Sequence, residues 1–184
     1  MNRVSKPLFA AVFCLFATLL VGACSDVLGI EERELVATVE DALSCETYCA
    51  TALASCTNKR ALYASEQACL SICAELPLGT ETDTSGDTVG CRLHNAKLAA
   101  STGEVDEYCP NAGPGGNDVC GSNCEGYCEI MLALCPEVFA DASECATTCA
   151  GLTDLHDYSI NQALGDTLDC RLYHLTAAAL DTLH

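Results

Sequence analysis

The chain has 184 residues, half of them hydrophobic but only 5% aromatic and none tryptophan, and 26 acidic against 8 basic side chains give a formal net charge of −18. So acidic a surface repels phosphate backbones, which excludes nucleic acid as a partner. Sixteen cysteines in a chain of this size point to an oxidising compartment and a disulfide framework.

Arg3 and Lys6 precede a stretch from Leu8 to Val21 with no charge, the pattern of an export signal. The apolar run from Pro7 to Ala23 is short of the roughly 20 residues a membrane span needs, and it ends in small residues instead of a basic flank. Residues 1–23 are therefore read as a signal peptide. Its end, Val21-Gly22-Ala23-Cys24, resembles the lipobox cleaved by bacterial lipoprotein signal peptidase. The resemblance implies that Cys24 becomes the first residue and carries a diacylglycerol on its sulfur and a further acyl chain on its amine. At about 0.8 kcal/mol per buried methylene such a group holds a soluble domain on a bilayer. No cofactor is expected besides this covalent lipid. Ser25 stands where an aspartate typically retains such proteins in an inner membrane, so the resemblance implies an outer-membrane or cell-surface position in a bacterial envelope. Residues 24–29 form the anchor and tether.

From Ile30 to Leu43, Val36, Val39 and Leu43 share one face opposite a cluster of acids, which predicts a leader helix. Beyond it the sequence repeats. An offset of 79 places Cys45, Cys49, Cys56 and Cys91 on Cys124, Cys128, Cys135 and Cys170, and Gly86-Asp87-Thr88 on Gly165-Asp166-Thr167. The second Cys-x3-Cys pair, Cys69/Cys73 in the first copy, returns as Cys145/Cys149 after a three-residue deletion that the second copy later recovers. Spacings of four and seven put the cysteines of each helix on one stripe.

Helix starts are legible from their caps. Ser122 with Glu125 and Asp141 with Glu144 have capping-box spacing, Ser65 corresponds to Asp141, and Asp87 and Asp166 are read as starting a third helix in each copy. That helix repeats an apolar face: Val89, Leu93, Ala96 and Ala100 in the first copy, Leu168, Leu172, Leu175 and Ala179 in the second. Pro77, Pro136 and Gly151 sit where helices should stop. The fold class is thus all-α, disulfide-stapled helical hairpins in two tandem three-helix units, unit 1 over residues 30–102 and unit 2 over 122–184. Between them, residues 103–121 contain Cys109-Pro-Asn-Ala-Gly-Pro-Gly-Gly-Asn-Asp-Val-Cys120, expected to be a hinge-like turn closed by its own Cys109–Cys120 bridge.

Without Cys14 and Cys24, fourteen cysteines remain, enough for seven bridges. At about 1.5 Å of rise per residue, Cys128 lies roughly 10 Å and Cys124 roughly 16 Å below Cys135, while Cys145 and Cys149 lie roughly 6 and 12 Å below Asp141. If Cys135 and Asp141 share a level, a nested ladder follows: Cys135–Cys145, Cys128–Cys149 and Cys124–Cys170, repeated as Cys56–Cys69, Cys49–Cys73 and Cys45–Cys91. Two Cys-x3-Cys pairs on antiparallel helices also resemble the hairpins of small mitochondrial translocase chaperones and plant hairpin peptides, over about half of each unit. That resemblance implies a different order, first cysteine with fourth and second with third. The whole pattern, tandem six-cysteine units each ending in Cys-Arg-Leu behind a lipobox, resembles cysteine-rich secreted proteins and lipoproteins of Gram-negative bacteria over residues 45–184.

Catalytic signatures are absent from the sequence: no glycine-flanked serine elbow, no Cys-x-x-Cys redox or haem motif, and no calcium loop. Tyr48 and Tyr127 are read as packing or hydrogen-bonding residues, and Arg92 and Arg171 as holding acids of a neighbouring helix. No metal ligands are assigned. The histidines are His94, His156, His174 and His184, and the pair His94 and His174 offers a metal- or haem-carrier alternative. The expectation is a lipid-anchored structural and interaction protein, not an enzyme, that docks a protein partner.

Overall fold

The computed structural model describes residues 42–180. The signal peptide, Cys24, the tether, all but the end of the leader helix and His184 lie outside the described residues. Seven α-helices and one short 3-10 helix (Asn58–Arg60) make up the described fold: α1 (Cys45–Ser55), α2 (Glu66–Cys73), α3 (Val89–Thr102), α4 (Val105–Ala112), α5 (Asn123–Leu134), α6 (Ala142–Cys149) and α7 (Leu168–Ala178). The fold is all-α and is stabilised by six disulfides.

The helices begin where side-chain oxygens can satisfy the free amides of a first turn. Ser44 accepts from Thr47 N–H and Ser65 from Ala68 N–H. Ser122 and Glu125 form a complete capping box. Asp141 accepts from the amides of Ser143 and Glu144, while the Glu144 carboxylate reaches back to Ala140 N–H, one residue short of a closed box. The starts assigned to Asp87 and Asp166 move by one residue. Thr88 and Thr167 are the caps, their hydroxyls accepting from Cys91 and Cys170 N–H. Each displaced aspartate instead receives Arg92 or Arg171 at 2.5 Å. The two arginines thus hold the acid leading into their own helix, not one on a neighbour. α3 ends at Gly103 with φ 77°, a left-handed cap that a side chain would strain. On α3 the buried face is Val89, Leu93, Ala96 and Ala99, with Ala100 exposed; on α7 all four expected residues are buried.

The bridges differ from the nested ladder. α1 joins α2 through Cys45–Cys73 and Cys49–Cys69, and α5 joins α6 through Cys124–Cys149 and Cys128–Cys145, with Cα separations of 5.7 to 5.8 Å. This is the first-with-fourth, second-with-third order. Rungs between antiparallel helices need equal steps on both sides. A ladder from Cys135–Cys145 to Cys128–Cys149 would descend seven residues on one helix against four on the other, about 10 Å against 6 Å. The observed rungs step by four on both, within disulfide reach. The loop 136–141 absorbs the difference.

The expected Cys109–Cys120 closure, the Cys56–Cys69 and Cys49–Cys73 pairs, and the Cys45–Cys91 and Cys124–Cys170 base pairs are likewise replaced. Cys56 bonds Cys109 and Cys91 bonds Cys120, while Cys135 and Cys170 have no disulfide partner. Nor is the linker a hinge. Its first part is α4, with Pro110 inside the last turn, and residues 109–116 are buried. At Gly116 (φ 86°) a Cβ would stand 1.9 Å from the Cys120 carbonyl, so the turn accepts only glycine.

α3 packs on α1 and α4, and α2 touches α7. The segment 157–161 lies against residues 58–62: Ile160 N–H donates to the Ala61 carbonyl at 2.8 Å, Tyr158 Oη to the Leu62 carbonyl at 3.1 Å, and Arg60 pairs with Asp157. The two sequence repeats therefore share one buried core.

Candidate functional site

A cavity of about 370 Å³ opens between α5, α6 and the residue leading into α3; the Cys124 and Cys128 positions, Leu132 and Ala146 give it apolar walls. Three carboxylates line it, Asp87, Glu125 and Glu129, and Glu125 accepts from the Ser122 amide. Asp87 Oδ1 takes the Arg92 guanidinium, which is fully buried, whereas Asp87 Oδ2 and Glu129 Oε2 are both buried without a donor. Burial, then the nearby Asp87 charge and a hydrogen bond with Asp87, push Glu129 up to about 7, against a smaller opposing pull from Arg92. A proton on Glu129 would give both orphaned oxygens a partner. The site can thus hold and release a proton near neutral pH. It is not legible in the sequence. Asp87 shows there only as a helix start, and Glu129 is brought to it by packing between the repeats; the i, i+5 spacing of Asp87 and Arg92 is the one local signal.

Arg92 also donates to the carbonyls of Gly113 (3.0 Å), Pro114 (2.9 Å) and Thr88 (3.2 Å), so it clamps the linker onto α3. Tyr48, buried between the cysteines of α1, donates to the Ala112 carbonyl at 2.6 Å and pairs with the Tyr63 hydroxyl at 2.8 Å. Burial pushes Tyr48 up to about 12, which keeps it a neutral donor.

The expected histidine pair is not assembled into a metal centre. His94 is half-buried on α3 and His174 exposed on α7. Among the described residues no group of three or more His, Cys, Asp or Glu is placed to hold a metal ion, which argues against the carrier alternative. His156 stands 3.5 Å from Asp118 and 3.8 Å from Asp154 on the surface. A second, shallower groove of about 290 Å³ lies between α5 and α7, lined by Tyr127, Met131, Arg171, His174, Leu175 and Ala178.

These features define a class: a cysteine-rich, disulfide-bonded, all-helical domain with a buried polar clamp. The chain belongs to the family described as BfoA family C-terminal domain, whose model matches residues 12–123. The match ends at the start of α5, so the second repeat lies beyond it. No curated protein and no solved structure matches the chain.

Proposed function

We propose that this chain is a lipid-anchored, extracytoplasmic structural and interaction protein, two tandem three-helix units on a Cys24 tether, that docks a protein partner and performs no catalysis. The observation that carries the reading is the covalent framework. Six bridges at ordinary Cα separations belong to an oxidising compartment, and the lipobox-like Val21-Gly22-Ala23-Cys24 supplies the route there. A small core with no tryptophan draws its rigidity from the bridges, and a rigid module suits docking because little order is lost on binding. The cavity beside Glu129 offers proton exchange, the Ser122 hydroxyl on its wall is taken up by the Glu125 amide, and among the described residues no group is placed to hold a metal ion.

Metabolic labelling with an alkyne fatty acid tests the anchor. The wild-type chain should take up label and partition with envelope membranes, and Cys24→Ala should do neither. Equal labelling of both, or a soluble wild-type chain, would refute it. Photo-crosslinking from surface positions in intact cells tests docking, with a discrete crosslinked band expected from one face.

A further inference from the structure

The linker shows what a completed repeat looks like. In the first copy α4 and the Gly113-Pro114 turn sit on α1 and α3, held by the Tyr48 hydroxyl on the Ala112 carbonyl, by Arg92 on the Gly113 and Pro114 carbonyls, and by Asn111 donating to Asn95 Oδ1 at 3.2 Å. Cys56 and Cys91 bond this segment covalently at its Cys109 and Cys120.

Adding the repeat offset of 79 to the residues beneath the segment gives the second groove. Tyr48, Ala52, Arg92, Asn95, Ala96 and Ala99 become Tyr127, Met131, Arg171, His174, Leu175 and Ala178, the lining of the α5–α7 depression. The seat is present and uncovered. Arg92 has no exposed surface whereas Arg171 is 44% exposed, and within the described residues Arg171 donates only to Asp166. The Tyr127 hydroxyl, counterpart of the Tyr48 donor, makes no hydrogen bond within those residues.

Both unbonded thiols stand at the corresponding anchor points. Cys135 is the C-cap of α5 as Cys56 is of α1, each donating its amide at 2.8 Å to the residue four before it. Cys170 is the third residue of α7 as Cys91 is of α3, each with its amide on the capping threonine. Every other cysteine among the described residues is already bonded.

We propose that the α5–α7 groove is the seat for a cysteine-bearing segment with the chemistry of residues 104–120, supplied by a protein partner. That chemistry is a short helix carrying a cysteine in its second half, a Gly-Pro turn whose carbonyls face an arginine, and a second cysteine eleven residues after the first. The proposal rests on the docking reading above and names the partner's chemistry. Cys135 takes the first cysteine and Cys170 the second. For each bridge two S–H bonds break and one S–S bond forms, and two electrons and two protons pass to a disulfide-carrying oxidant, which leaves as the dithiol.

The full chain, extracted from envelope membranes, is incubated with a synthetic peptide of residues 104–120 and oxidised glutathione. The expected product is a one-to-one adduct with Cys135 on the peptide's first cysteine and Cys170 on its second, mapped by non-reduced peptide mass spectrometry. Adduct formation at the same yield by a scrambled peptide with the cysteines in place, or a Cys135–Cys170 bridge instead, would overturn the seat. A non-covalent arm removes the thiol chemistry: Cys135→Ser/Cys170→Ser chain with a peptide whose cysteines are serine. Arg171→Ala should then weaken binding by about tenfold or more, the effect of losing hydrogen bonds from a charged donor, and unchanged affinity would overturn it. In intact cells, a partner that crosslinks equally well to the double cysteine variant would overturn this seat while leaving docking standing. The peptide adduct without any cellular crosslink would do the reverse.

Discussion

Replacing Glu129 with glutamine perturbs the buried carboxylate pair at one point and leaves the Asp87–Arg92 contact in place. Glu129 holds its proton up to about 7 in the folded chain, against an ordinary value of 4.5. A carboxyl raised by folding contributes stability in full below the unfolded value, and that contribution is lost as pH climbs through the folded one. The window is therefore about pH 4.5 to 7. At 1.36 kcal/mol per unit the full shift corresponds to about 3 kcal/mol. The side chain is only half-buried, so solvent screening reduces this to about 1–2 kcal/mol. The substituted amide carries no charge at any pH and can donate to Asp87 Oδ2. Glu129→Gln should therefore match the wild type near pH 4.5 and exceed it above pH 7.5 by about 1–2 kcal/mol, or about 3–6 °C in melting temperature for a body of this size. Thermal unfolding followed by circular dichroism across that range, with disulfides intact, reads the difference. Parallel pH profiles for the two proteins would refute the proton on Glu129.

Equivalent arginines should behave unequally. Arg92→Met strands Asp87 in the interior and should cost about 3–5 kcal/mol, whereas Arg171→Met, whose partner Asp166 is 85% exposed, should cost under about 1 kcal/mol in chemical denaturation. Tyr48→Phe should cost about 1–3 kcal/mol by leaving the Ala112 carbonyl and the Tyr63 hydroxyl without their partner, measured in the same way. Removing Cys56–Cys109, with 53 residues of separation, should destabilise by about 4 kcal/mol, against about 3 kcal/mol for Cys128–Cys145 with 17. Paired serine variants in denaturant titrations give the order, and the reverse order would refute a loop-entropy origin.

Local features are readable from the amino acids and non-local ones are not. Ser65, Ser122 and Asp141 cap helices through contacts within three residues, a range at which sequence and geometry coincide. The disulfide order follows from equal four-residue steps on the paired helices, and a level taken from Cys135 and Asp141 misses it because the loop 136–141 offsets one helix against the other. Asp87 is misplaced by one residue because aspartate and threonine both cap well; what separates them is Arg92, buried five residues on and in need of a carboxylate. Glu129 cannot be found from the chain, since the Asp87 and Arg92 that act on it come from the other repeat.

The crosslinks also limit how far the chain can be drawn out by force. Pulled between residues 42 and 180, an uncrosslinked chain would extend to about 480 Å. The covalent shortcut through Cys45–Cys73, Cys91–Cys120 and Cys124–Cys149 cuts that to about 200 Å. Most of the remaining slack lies in residues 73–91 and beyond Cys149, so tension would unravel the final helix α7 while the α1–α2 and α5–α6 pairs stayed out of the loaded path.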